Sequence, residues 1–392
     1  MMFSGGTGTK DDPFLIKTVQ DLINVRNKNN ENPKYYYKQV ADIDLSGVEW
    51  LPIGDNQGKA FCGTYNGGGY MISNLIITED IVGPAFISSA IEATLLNITI
   101  DNAYITNTLD TWIAILVQQT NDCAITNCHV TGKIECTNVR SNTGGLVSSA
   151  GTGTIINKCS ANVDITAGHA GGFVCYSNAV IKDCYVTGKI SGVQDENKPD
   201  DMYILAGTFA YVLYSGNVEN CYTSVEIYNY SSRSKNQLYV FSENYGAEII
   251  SCYCDVSLGV TMRGWTSDLN YVEGMFIRGT DNKLYVNYKY QSNKDRDYWE
   301  PEWNSTGPPS WWPKPYYRAQ PITGEVWSNF WKQVTETHTE ARTTTEMQTQ
   351  STFDGWDFDT VWTIDEGRDY PRFKLKITQI KCKRMPLTNY RR

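Results

Sequence analysis

Five carboxylates in short β-forming stretches, Asp164, Asp183, Glu219, Glu226 and Asp255, are the residues of this chain best suited by type to do chemistry. Two carboxylates about 5 to 9 Å apart on neighbouring strands can cleave a glycosidic bond, one as acid and the other as base or nucleophile. Here they fall at alternating outward positions, where a solvated charge is the default. Asn127, Lys158, Asp183, Asn220 and Ser251 share one equivalent position and no chemistry, which argues against a catalytic pair. Asp42 and Asp44 in "ADIDLS" read as turn and cap residues. The only histidines are His129, His169 and His338, and His338 is followed by Thr-Glu-Ala-Arg, so no His-Glu-x-x-His exists. Cys128-His129 and Cys252-x-Cys254 could suggest zinc, but strand alternation sends Cys128 and His129 to opposite faces, and three histidines are few to complete a site. No nucleophile–His–acid set, phosphate loop or calcium loop competes. The sequence predicts no catalytic residue, no metal and no cofactor.

The elements that must position these residues recur. Ile125-x-x-Cys128, Ile156-x-x-Cys159, Ile181-x-x-Cys184, Val218-x-x-Cys221 and Ile249-x-x-Cys252 fit one frame, and Ile72-x-x-Leu75 and Leu95-x-x-Ile98 fit it with an aliphatic residue for the cysteine. The register residues from Leu75 to Cys252 lie 23, 30, 31, 25, 37 and 31 apart. Between them runs a second frame: Ala85-Phe86-Ile87, Gly144-Gly145-Leu146-Val147, Gly171-Gly172-Phe173-Val174 and Gly207-Thr208-Phe209-Ala210. A period of this size marks a solenoid, propeller or array. Period-2 alternation in Val, Ile, Thr and Tyr, bounded by Gly, Asn and Asp, selects strands over helices. The spacings are too short for four-stranded propeller blades. The expected fold is all-β, a right-handed parallel β-helix of about seven or more coils with two or three short strands per coil. Stacked about 4.8 Å apart, the five register cysteines, Leu75 and Ile98 then form an inward ladder. Eleven cysteines, an odd number locked to the repeat, make a poor disulfide framework.

A net charge of −9 argues against a nucleic-acid partner, and no apolar run is long enough to span a membrane. "MMFSGGTGTKDDPF" has neither the basic nor the apolar region of a secretory signal. Free core cysteines agree with folding in a reducing cytoplasm. Because an open coil exposes strand edges, a lid is expected at the start: Thr18 as N-cap with Asp21 three residues on, and Val19, Leu22, Ile23 and Arg26 at helical spacing.

"GTGTKDDPFLIKTVQDLINVR", "YYYKQVADIDLSGVEWLPIG" and "FCGTYNGGGYMISNLIIT" together resemble the opening of GLUG-repeat proteins. The Gly-Gly-apolar-Val and Asn/Asp-Cys-Tyr-Val-x-Gly elements continue the resemblance. "TTTEMQTQSTFDGWDFDTVWTIDEGRDYPRF" is similar to that family's closing segment. The resemblance covers roughly residues 3–260 and 335–375 and implies a right-handed β-helix of the kind found on bacterial surface and adhesin-like proteins, beside some secreted metallopeptidases, and in phage virions. The chain departs from the surface members in lacking a signal and a wall anchor, and it has no residues to carry the peptidase activity.

These readings divide the chain into an N-terminal cap and first coil (1–65), repeats (66–262), an aromatic, Pro-rich insertion (263–342), the closing motif (343–375) and a basic tail (376–392). In the insertion, Pro301, Pro308, Pro309, Pro313, Pro315 and Pro321 break regular structure around many large aromatics. Tyr298, Trp299, Trp303, Trp311, Trp312, Tyr316 and Tyr317 are the expected contacts to a glycan or partner protein. The opposing reading folds such aromatics, with Trp356 and Trp362, over the last coils to bury their edge. The functional expectation is a non-enzymatic exterior component of a bacteriophage tail or capsid. It would bind other virion proteins, through the basic tail, or host-surface glycan, and would self-associate or join a larger assembly. The alternatives are a tailspike-type glycan depolymerase and a bacterial cell-surface adhesin.

Overall fold

The computed structural model describes residues 2–29, 34–55, 59–195, 198–230, 237–239, 241–255 and 344–374, with short strands at 260–262, 271–273, 276–278, 284–289, 317–321 and 339–342. It is a parallel β-helix. One complete turn runs through four short strands, for example Val117–Asn121, Ala124–Thr126, His129–Cys136 and Asn142–Gly144, before Val147–Ala150 begins the next. This differs from the two or three strands expected, because two of the four last only three residues and leave little alternation to read. Each of these strands pairs in parallel with its equivalents above and below, giving four faces. Face one is the nine-stranded sheet containing Ala124–Thr126, and face two the long sheet containing His129–Cys136. Faces three and four, containing Asn142–Gly144 and Val147–Ala150, have six strands each among the described residues.

The register sets the core. On face one, Tyr37, Tyr65, Leu95, Ile125, Ile156, Ile181, Val218 and Ile249 stand directly over one another. On face two, Ile77, Ile105, Ile134, Ile165, Ile190 and Ile227 do the same. All are buried, and each fully buried side chain of this size contributes about 1.5 to 3 kcal/mol. Cys128, Cys159, Cys184, Cys221 and Cys252 form the expected ladder, each 0% exposed. Each Sγ contacts the carbonyl two residues back and one on the turn below, as Cys159 does with Asn157 and Ile125. Burial pushes the Cys128, Cys159 and Cys221 thiols up, so they stay protonated. Leu75 is the exception. Ile72 pairs with Ile100 and Ile76 with Tyr104, so Leu75 is buried but lies off the ladder that Ile98 begins.

Two sequence signals mark corners. Asn97, Asn127, Lys158, Asp183, Asn220 and Ser251 all take φ near +50°, from 48 to 54, a left-handed conformation that Asn and Asp tolerate best. The position demands a backbone shape between faces one and two, which is why its side chains share no chemistry. The Gly-Gly frame marks the bend from face three to face four. A Cβ at Gly144, Gly171 or Gly207 would lie 1.9, 1.8 or 1.8 Å from the carbonyl oxygen three residues on. At the bend Phe173, Phe209 and Phe241 stack inward, centroids 5.0 and 4.6 Å apart.

Helix Val19–Asn29 covers the first coil with Leu22 and Val25. Its start is capped as expected: Thr18 Oγ1 accepts from the Asp21 N–H at 3.1 Å, and Asp21 Oδ2 accepts from the Thr18 N–H at 3.0 Å.

Candidate binding surface

Of the seven aromatic residues expected to bind, Tyr298, Trp299, Trp303, Trp311, Trp312 and Tyr316 lie outside the described residues. Tyr317 opens a backbone strand, Tyr317–Pro321, antiparallel to Leu284–Lys289. The basic tail 376–392 also lies outside them. Four of the five carboxylates hold separate partners. Glu219 pairs with Lys182 at 2.7 Å and Glu226 with Lys189 at 3.6 Å. Asp164 sits opposite Lys189 across the strand pair. Asp255 accepts from the Tyr370 hydroxyl at 2.6 Å, and Asp183 from the Asn220 amide at 3.3 Å. Burial raises the Asp183 pKa. Asp44 caps its own turn, accepting from the Ser46 N–H at 2.9 Å, whereas Asp42 accepts from the Met71 N–H of the next coil at 2.8 Å. Among the described residues no cluster of three or more His, Cys, Asp or Glu is placed to hold a metal.

The outer side of face two is partly roofed. One outward column carries His129, Ser160, Tyr185, Tyr222 and Tyr253 on successive turns. Residues 344–374 fold back along it. Trp362 packs against Tyr185 and Tyr222, Phe353 and Trp356 against Tyr253, and Phe373 reaches His129 with ring centroids 5.4 Å apart. Tyr222 donates to the Pro371 carbonyl at 2.7 Å, and Trp356 Nε1 to the Ser251 carbonyl at 3.0 Å. Trp356 and Trp362 therefore clamp the side of the stack, where the sequence suggested a cover over its end. Burial beneath the clamp lowers the His129 pKa to about 4. Beyond the clamp face two is charged, with Lys133, Asp164, Lys189 and Glu226 alternating in sign up one column.

Faces three and four meet in a seam of different character. Five strands of face three (Trp112–Ala114, Asn142–Gly144, His169–Gly171, Leu205–Gly207, Gln237–Tyr239) contain no Asp, Glu, Lys or Arg. The same holds for five of face four (Ile87–Ile91, Val117–Asn121, Val147–Ala150, Val174–Ser177, Ala210–Leu213). Aromatic rings bridge the faces: Trp112 with Tyr176 at 5.1 Å and His169 with Tyr211 at 5.5 Å. Tyr176, Tyr214 and Tyr245 continue as a stacked row, 5.9 Å between successive centroids. Cys175, Tyr211 and Val212 anchor the seam in a cluster separate from the solenoid core. Tyr214 and Tyr245 are exposed by 47% and 67%. Sequence reasoning missed this surface. Its signal was the repeated lack of charge on both sides of the Gly-apolar frame, in a chain that is 20% charged.

The GLUG motif family matches residues 167–191. That stretch is one turn of the solenoid, and the Ala167 N–H donates to the Ser191 carbonyl at 3.1 Å where the turn returns to its start. The chain carries a GLUG motif. A protein of Evansella cellulosilytica named "Putative Gly-rich membrane protein" is 44% identical over 84 residues, covering 20% of this chain and 9% of that protein. Halomucin of Haloquadratum walsbyi is 30% identical over 168 residues, covering 40% of this chain and 2% of halomucin. The chain thus spans less than a tenth of the length of either relative. A solved structure from Bacteroides ovatus titled "putative immunoglobulin A1 protease" aligns with TM-score 0.48 and 15% identity, over 72% of this chain and 94% of that one.

Proposed function

We propose that the GLUG solenoid is a non-enzymatic display scaffold in an adhesin-type protein of the cell exterior. The observation that carries this reading is the repeat of the stack: turn after turn pairs equivalent strands in parallel, and four of the five carboxylates are held by neighbouring cations, a tyrosine or an amide. A rigid scaffold presents contacts with little ordering cost. Relatives named as a membrane protein and a halomucin support the surface placement over a phage particle. The aromatic insertion and the basic tail are contact segments in the same reading. Labelling intact producing cells with an antibody to the stack tests it. Signal on intact cells is expected, and signal only after lysis would overturn the surface placement. Recovery of the chain in purified phage particles would favour the virion.

A further inference from the structure

We infer that the uncovered end of face two docks the basic segment 375–392 of the same chain, carrying on the roof that residues 344–374 begin. The first reason is continuity. The outward column beneath the roof does not stop at His129: Thr99 and Met71 extend it over the earlier turns, and Asp42 lies beside Met71, accepting from its N–H at 2.8 Å. The roof reaches only as far as His129, where Phe373 packs, and Lys374 follows with its N–H on the Val361 carbonyl at 2.8 Å. Tyr222 and Tyr253 under the roof are buried, whereas Met71 and Tyr104 beyond it are each 38% exposed.

The second reason is charge. Residues 41–50, 67–80 and 97–107, which build face two in these turns, include Asp42, Asp44, Glu49 and Asp101 and no Lys or Arg. Each of the four is steadied by an uncharged donor, as Asp44 is by the Asn74 amide at 2.8 Å and Asp101 by the Thr131 hydroxyl at 2.6 Å. None of them joins an ion pair among the described residues. Residues 375–392 are the reverse, with Lys376, Lys381, Lys383, Arg384, Arg391 and Arg392 and no Asp or Glu. Leu375 and Ile377 alternate with these cations. Apolar side chains suit Met71 and Tyr104, and lysine stems can lie on the same surface while their ammonium groups reach the carboxylates.

The third reason is reach. The turn of Asp42 lies three steps beyond His129, and steps of about 4.8 Å are spanned by roughly five extended residues. The segment has length to spare. A separate basic partner would meet the same carboxylates, but it would compete with a segment held by its own covalent link at an effective concentration on the order of millimolar.

The inference rests on the display reading only in treating the basic tail as a contact segment. Cell labelling tests the placement and the following experiment tests the contact, so either can fail alone. Purified full chain, half of it isotopically heavy, is treated with a carbodiimide, which joins lysine amines to touching carboxylates, and the linked peptides are mapped by mass. Links from Lys376, Lys381 or Lys383 to Asp42, Asp44, Glu49 or Asp101 within one chain are expected, with lower yield at high salt. Trypsin at low salt should cut after Lys381, Lys383 and Arg384 about tenfold more slowly than in the free peptide 375–392, because the tethered segment is held. Asp101→Asn combined with Glu49→Gln should remove that protection at an unchanged melting temperature. The links in the native protein decide the matter if those variants lose stability. Absence of links to these carboxylates, links between heavy and light chains alone, cleavage at the free-peptide rate, or full protection in the stable variant would overturn the proposal.

Discussion

Face two and the seam are built on the same turns, yet their outer sides are opposites. Face two carries charge alternating from turn to turn and a tyrosine column roofed by residues 344–374. Ten of the seam's twelve described strands carry no Asp, Glu, Lys or Arg, the exceptions being Glu243 and Glu273 in the last strand of each face, and Tyr214 and Tyr245 are exposed. The interior repeats closely because each inward position stacks on its own equivalent. The outward positions are free of that demand, and they differ from face to face: one holds residues 344–374, while the other carries aromatic rows that end in the exposed Tyr214 and Tyr245.

The largest expected effect strikes what both surfaces share. Cys159→Asp or Cys184→Asp puts an unpaired carboxylate into the ladder, at a cost of several kcal/mol, on the order of the whole stability margin. Urea denaturation should find these variants largely unfolded and Cys159→Ala only mildly weakened. Rapid thiol labelling of the native protein at these cysteines would contradict the inward placement.

Trp362→Ala should separate the two surfaces. A buried tryptophan lost from a packed cluster costs about 3 to 5 kcal/mol, but here the clamp can lift while the turns stay stacked. Limited proteolysis should cut within residues 344–374 while far-ultraviolet circular dichroism stays β-rich. Collapse of both together would make the clamp part of the core.

Acid should act more on the roofed face than on the seam, where burial also lowers the His169 pKa. His129 is held neutral to about 4 in the folded state, against about 6.5 when free. The opened state therefore binds the extra proton between those values, and stability contributed at this site is full above pH 6.5 and lost progressively as pH falls towards 4. The change is at most about 3 kcal/mol. Hydrogen exchange of residues 344–374 should rise over that window and lose the dependence in His129→Gln. A matching rise in the amides of strand Val174–Ser177 would erase the distinction.

The smallest effect concerns the corner. Lys158 holds φ of +53°, so Lys158→Gly or Lys158→Asn should stabilise by about 0.5 to 1 kcal/mol. Asn127→Ala should lose about 1 kcal/mol. Thermal melts resolve both signs.

The cysteine ladder and the Gly-Gly frame were legible because inward positions repeat and their residue types repeat with them. Leu75 misled because Ile72-x-x-Leu75 copies the pattern of Leu95-x-x-Ile98 without its register, a difference that only the pairing of Ile72 with Ile100 reveals. The corner at Asn127 and Lys158 was noticed as a shared position, but its cause is a backbone angle that side-chain chemistry does not announce. The clamp could not be read at all, since nothing in "FDGWDFDTVW" tells an end cover from a lateral one. The seam was overlooked because Trp112, Tyr176 and Tyr214 come from different faces or different positions of the repeat, and meet only when the bend at Gly144 and its equivalents brings faces three and four together.

The backfolded segment also alters how the stack can come apart. In an array whose units touch only their neighbours, stability sums over adjacent interfaces, and loosening can begin at an end and advance one unit at a time. Residues 344–374 touch Tyr253, Tyr222, Tyr185 and His129, which belong to different turns. A strap fastened across several units makes each of them wait for the others. Fraying from the last turn then has to free the whole strapped length, and what would be a gradual unravelling becomes a single cooperative step.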